Sequence, residues 1–236
     1  MLLKSLPFLL SVLLAFHQSL NAQDPPPVGL GGGTGTNVAD HMLIKMANTT
    51  GSDTPEDNVI GSPWFGSDFV KGDVRSVKGN FEGVEMRYNI YQDVVEFKQN
   101  NFTYILDPSP DILLIDMGDY KLVVEKGIKN RPYGFYQLLD SGRVTLMARK
   151  TVSYREGRPP QALQATPTPA RYTNMPDSYY YRVGNGPLAK VTSLKKMIAA
   201  FPDHHIQLRA FASKEKISYN NGDELVRLVR YYNSLQ

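Results

Sequence analysis

Val84-Glu85-Met86-Arg87-Tyr88-Asn89-Ile90-Tyr91 alternates apolar and polar side chains, and Gln92-Asp93 then turns the chain into a second apolar run over 94–98. Successive side chains of a strand point to opposite faces, so Val84, Met86, Tyr88 and Ile90 share one face. Glu85, Arg87, Asn89 and Tyr91 share the other. Two such runs joined by a polar pair predict a β-hairpin with one packed and one solvated side.

The same pattern recurs outward. Runs at 112–115 and 120–126 flank Met117-Gly118-Asp119, and runs at 135–139 and 144–152 flank Asp140-Ser141-Gly142-Arg143. Hairpins in series predict an antiparallel meander, and nothing resembles the alternating strand and helix units of a parallel sheet. One more strand is expected at 179–183. The apolar period then changes from 2 to 3.6: Leu194, Met197, Ile198 and Phe201 form a stripe, with Thr192 or Ser193 as cap and Pro202 as stop. Asp203 is placed to cap a second helix through Phe211. Asn221-Gly222-Asp223 opens a third, with Leu225, Leu228, Val229 and Tyr232 on one face. The predicted fold class is α+β, an antiparallel β-meander sheet followed by a small C-terminal helical cluster.

The N-terminal region reads differently. Lys4 precedes an apolar run over 6–16 that ends in Asn21-Ala22-Gln23, the pattern of a secretory signal peptide over 1–22. That run is shorter than the roughly 20 residues a membrane-spanning helix needs. Removal near Ala22-Gln23 would deliver the mature chain to the periplasm or the outside, without a transmembrane anchor. QDPPPVGLGGGTGTN, 23–37, is a Pro/Gly-rich linker, because a phosphate-cradling glycine loop needs a preceding strand and a placed lysine. Residues 38–236 are expected to form a single α+β domain, beginning with a weak helical pattern over 38–48 through Val38, Met42 and Met46.

Composition narrows function mainly by exclusion. The chain has 236 residues, 42% of them hydrophobic, which suits a globular core. A net charge of +3 makes no case for nucleic acid. The sequence contains 0 cysteines, which excludes disulfides, thiolate metal sites, a thiol nucleophile and the lipid anchor of a bacterial lipoprotein.

No serine lies in a Gly-x-Ser-x-Gly elbow, and His204 and His205, adjacent on a helix, diverge too far to share a metal. They read as a solvated helix start. Asp107, Asp111, Asp116 and Asp119 surround turn residues and match no calcium-loop spacing. No catalytic residue, cofactor or metal is therefore assigned.

The blocks GSPWFGSDFVKGDV (61–74), GVEMRYNIYQDVVEF (83–97) and ELVRLVRYYNSL (224–235) together resemble exported proteins of unknown function common in Bacteroidota-type bacteria. The resemblance implies an envelope location and a β-rich body followed by helices, and it carries no activity.

Three functions stay open. The first is a non-enzymatic binding protein for an unknown protein or small-molecule ligand of the cell envelope. The second is an apolar-ligand carrier using a tyrosine-rich curved sheet, and the third a hydrolase with paired carboxylates. The candidate recognition face is the polar side of the first hairpin: Glu85, Arg87, Asn89, Tyr91 and Glu96. A Pro-rich loop over 155–178, carrying Arg155, Arg158 and Arg171 against Glu156 and Asp177, is long enough to be a partner-binding or lid element.

Overall fold

A computed structural model describes Lys45–Met46 and residues 59–126, 131–160 and 166–235. The signal segment, the linker and most of 38–48 lie outside these. Within 38–48, Lys45–Met46 is a strand, not the expected helix: it adds to a sheet edge opposite Ile105 and Tyr104, whose backbone groups need partners.

The strands are β1 Lys45–Met46, β2 Trp64–Ser76, β3 Gly79–Asn89, β4 Val94–Gln99, β5 Phe102–Leu106, β6 Ile112–Asp116, β7 Lys121–Lys126, β8 Tyr133–Asp140, β9 Val144–Arg149, β10 Val152–Arg155, β11 Arg171–Asn174, β12 Ser178–Val183 and β13 Ala189–Lys190. The helices are α1 Leu194–Ala199, α2 His205–Lys214 and α3 Gly222–Ser234. The sheet is antiparallel, in the order β1-β5-β4-β3-β2-β6-β7-β8-β9-β12-β13. It is two meanders, β2 to β5 and β6 to β9, joined where β2 pairs with β6.

This order dictates curvature. Between β5 and β6 lie β4, β3 and β2, a flat separation of roughly 19 Å at normal strand spacing. The connection from Leu106 to Ile112 has nearly that full reach and no slack. The sheet therefore curls. Tyr88 on β3 meets Phe135 on β8 with ring centroids 5.9 Å apart, although β2, β6 and β7 separate the two strands. The concave side holds one core, with Met86, Val95, Ile115 and Phe135 fully buried.

A second core lies where the helices pack on β9 and β12. Val144, Leu146 and Tyr181 meet Met197, Phe201, Leu208, Leu225, Leu228 and Tyr232. The α3 stripe is the one the 3.6 period marks out, and Asn221 caps the helix by accepting from Asp223 N and Glu224 N. Asn233 locks α3 to β9: its Oδ1 accepts from Val144 N at 2.9 Å and its Nδ2 donates to Val144 O at 3.0 Å. Ser193 caps α1 by accepting from Lys196 N.

Asp203 does not cap α2. It pairs with Arg143, and His204 occupies the cap position in a left-handed conformation, φ 58°. His205 Nε2 lies 2.6 Å from Phe201 O, so these histidines organise the corner between helices. The expected loop over 155–178 is partly sheet. Residues 171–174 return alongside 152–155 as a ribbon, in register from Val152↔Asn174 to Arg155↔Arg171. Short polar strands with several prolines nearby leave little apolar alternation, which hid this pairing from sequence reading.

Candidate functional site

The five candidate recognition residues separate into three places. Arg87 and Glu96 are direct cross-strand partners, and Asn89 is one step along the same face. Glu96 Oε2 accepts from Arg87 Nε at 2.7 Å, while its Oε1 accepts from Asn89 Nδ2 at 2.8 Å and from Trp64 Nε1 at 3.1 Å. The Arg87 guanidinium stacks between Trp64, 3.9 Å from the ring centroid, and Phe69, at 4.3 Å. Asn89 and Glu96 are buried.

The face expected to be solvated is thus covered here by β2, whose indole N–H demands an acceptor. A carboxylate already accepting three hydrogen bonds has little left to offer a ligand. This cluster staples β2, β3 and β4. Glu85 stands apart and exposed, opposite Lys71. Tyr91 joins Tyr154 and Tyr172, with ring centroids 6.0 and 5.4 Å away, and so docks the ribbon against the first hairpin.

A second polar cluster went unnoticed in the sequence because its acid sits in a turn, where aspartate is ordinary. Asp93 has φ 58° and is buried. Its Oδ1 accepts from Tyr88 OH at 2.8 Å and from Phe135 N at 3.2 Å, and its Oδ2 accepts from Arg149 Nη2 at 2.7 Å. The Arg149 guanidinium lies 5.0 Å from the Tyr136 ring centroid. A Cβ at Gly134 would collide with that guanidinium, so the bare glycine lets the ion pair pass β8. Burial, and then the adjacent Asp93 charge, push the Tyr88 hydroxyl well above its ordinary pKa.

The open feature is a cleft of about 530 Å³ between β2, the β6–β7 turn and β8. It exists because β2 breaks register with β3 between Phe65 and Val70, where Gly66 takes φ +78°. Phe65 and Tyr120 form its aromatic side, their rings edge to face at 4.6 Å, with buried Met117 beside them. Gly118, φ 80°, turns the chain, and its N–H donates to Asp116 Oδ1 at 3.0 Å. Gln137 adds an amide.

Val70, Asp68 and Asp119 complete the lining, all exposed, and neither acid forms an ion pair among the described residues. The neighbouring Asp116 is neutralised by Lys121 at 2.8 Å, which holds its carboxyl below the usual range. On the Phe65 ring, Lys150 Nζ lies 5.1 Å from the centroid and is held by Asp177 at 2.6 Å.

Burial pushes the Tyr120 hydroxyl up to about 12. An unfolded tyrosine titrates near 10, so the folded state holds this proton more tightly. The resulting contribution to stability is complete below about pH 10 and is lost as the pH rises toward 12. NMR of carbon-labelled tyrosine rings should show the Tyr120 resonance shifting well above pH 10, where an unfolded tyrosine titrates. A Tyr120 shift centred near pH 10 contradicts the buried environment.

Among the described residues no three His, Asp or Glu side chains come together as metal ligands, and no helix is long and apolar enough to cross a membrane. No family model, curated protein or solved structure matches the chain.

Proposed function

We propose that this chain is an exported, non-enzymatic binding protein whose cleft takes a small ligand with an apolar or ring-shaped body and a cationic edge. The observation that carries the reading is Asp68 and Asp119, two carboxylates without ion-pair partners among the described residues, beside the Phe65–Tyr120 aromatic pair. An aromatic wall stacks the body of such a ligand, and acids at the side attract its positive group. Export rests on the basic start, apolar run and Ala22-Gln23 of the sequence.

The carrier reading has less support. Of the strand tyrosines that suggest it, Tyr88, Tyr136, Tyr180 and Tyr181 are buried in the cores.

The test uses protein recovered from the extracytoplasmic fraction of its own cells, where a chain beginning near Gln23 is expected; its absence there overturns the export half. Calorimetric titration with benzyltrimethylammonium, set against its uncharged carbon isostere and a benzenesulfonate, should favour the cation. Asp68→Asn and Asp119→Asn should each weaken it by roughly 2–5-fold, the size of a partly exposed charge contact. Equal binding of the three probes, or indifference to both substitutions, removes the cleft from the proposal.

A further inference from the structure

We propose that Arg155 and Arg171 form a binding site for a doubly charged tetrahedral oxyanion, of the phosphate or sulfate class, on the outer face of the β10–β11 ribbon. The two residues are direct cross-strand partners. Opposed side chains on one face have their Cβ atoms about 5 Å apart, and like charges placed there repel. Guanidinium groups stay charged at every physiological pH, so the repulsion is not relieved by losing a proton. Neither residue forms an ion pair among the described residues, although Arg149 on β9, Lys150 just after it and Arg182 on β12 are each matched by a carboxylate. Glu156 follows Arg155 just past the end of β10 and forms no ion pair with either arginine.

The ribbon has two distinct faces. Tyr154 and Tyr172 are cross-strand partners with ring centroids 4.8 Å apart, and they pack on Tyr91 of the sheet. Strand alternation then turns Ser153, Arg155, Arg171 and Thr173 outward, and all four are exposed. Two forks of N–H donors flanked by two hydroxyl residues match an anion carrying four oxygens.

The scaffold around the pair is braced. Arg158 N donates to Thr168 O at 2.8 Å and Thr168 N to Arg158 O at 2.9 Å, closing the ribbon on one side. Ile60 adds as a parallel neighbour on the other, with Ile60 N donating to Ala170 O at 2.9 Å and Tyr172 N to Ile60 O at 2.8 Å. Arg171 is thus held in the middle of a small three-stranded patch. A like-charged pair on a braced backbone, with no counter-charge among the described residues, is placed to bind one. The site is independent of the cleft.

The experiment titrates the full chain with inorganic phosphate and, in a separate arm, inorganic sulfate, each against sodium chloride at matched ionic strength. Saturable binding is expected for at least one tetrahedral anion, and the stronger arm assigns the site to the phosphate or to the sulfate class. At 100-fold excess over half-saturation, Tm should rise by roughly 5–10 °C. Arg155→Gln and Arg171→Gln should each abolish that rise. In low-salt, anion-free buffer each should itself raise Tm by about 1–3 °C, because the repulsion is relieved. That gain shows that the variants are folded. A chloride control matching both anions, or an undiminished response in both variants, overturns the proposal.

Discussion

Asp93→Asn is expected to destabilise the protein by about 3–5 kcal/mol, the cost of leaving one member of a buried ion pair without its partner. Asparagine tolerates the left-handed φ of 58° at this position, so the turn itself is preserved. Its amide oxygen can still accept from Tyr88 OH and Phe135 N. What it lacks is the charge that meets Arg149, whose side chain is 14% exposed.

Arg149 would then face a neutral amide beneath the Tyr136 ring, cut off from most of the water that could solvate it. Urea unfolding should show the loss as a lower midpoint with an unchanged slope. The double variant Asp93→Asn with Arg149→Met should recover most of the stability, because removing both charges costs far less than stranding one. A loss under about 0.5 kcal/mol in the single variant, the range of ordinary surface substitutions, contradicts this account of the cluster.

Phe201→Ala is expected to cost about 3–5 kcal/mol, the range for removing a buried aromatic ring. Phe201 is 2% exposed and stands just past α1, with ring centroids 4.6 Å from Tyr232 on α3 and 6.1 Å from Tyr181 on β12. Its carbonyl also faces His205 at the start of α2. One side chain therefore touches both β12 and α3, and its loss leaves a cavity that neither element can fill alone. Circular dichroism and tyrosine fluorescence should report one coincident unfolding transition at a lower midpoint. Helix melting ahead of an intact sheet would show the two cores to be independent.

Much of the fold was legible because the physical signal was local. Of the period-2 alternation, Met86 and Tyr88 are buried on β3, Val84 is half-buried there and Ile90 is buried just past the strand's end, while the Leu225, Leu228, Val229 and Tyr232 stripe returns as the buried face of α3. Turn residues such as Gly118 and Asn221 sit where their backbone and capping preferences place them. The candidate site was legible only in part. Arg87, Asn89 and Glu96 do converge, but Trp64, from outside the hairpin, closes over them. Nothing in the alternation announces a lid 32 residues away.

The cleft was invisible for a related reason. Its lining comes from a bulge in β2, a turn after β6 and one residue of β8, which no contiguous motif joins. Asp68, in the irregular stretch of β2, and Asp119, in the turn before β7, are ordinary surface acids until the sheet curls and sets them around one opening. The same holds for Arg155 and Arg171, separated by a stretch rich in proline and made neighbours only by register.

The sequence by itself determined the central hairpins, the C-terminal helices and their apolar faces, but neither β1 nor the β10–β11 ribbon. Hydrophobic periodicity, caps and turns are encoded within a few residues, and they specify an antiparallel sheet with helices after it. Only the tertiary structure decided which polar residues are buried and which are left open. That outcome depends on how far the sheet curls and which strand lands opposite which. Burial then turns Asp93 and Glu96 into internal staples, while leaving Asp68, Asp119, Arg155 and Arg171 as charges without ion-pair partners among the described residues.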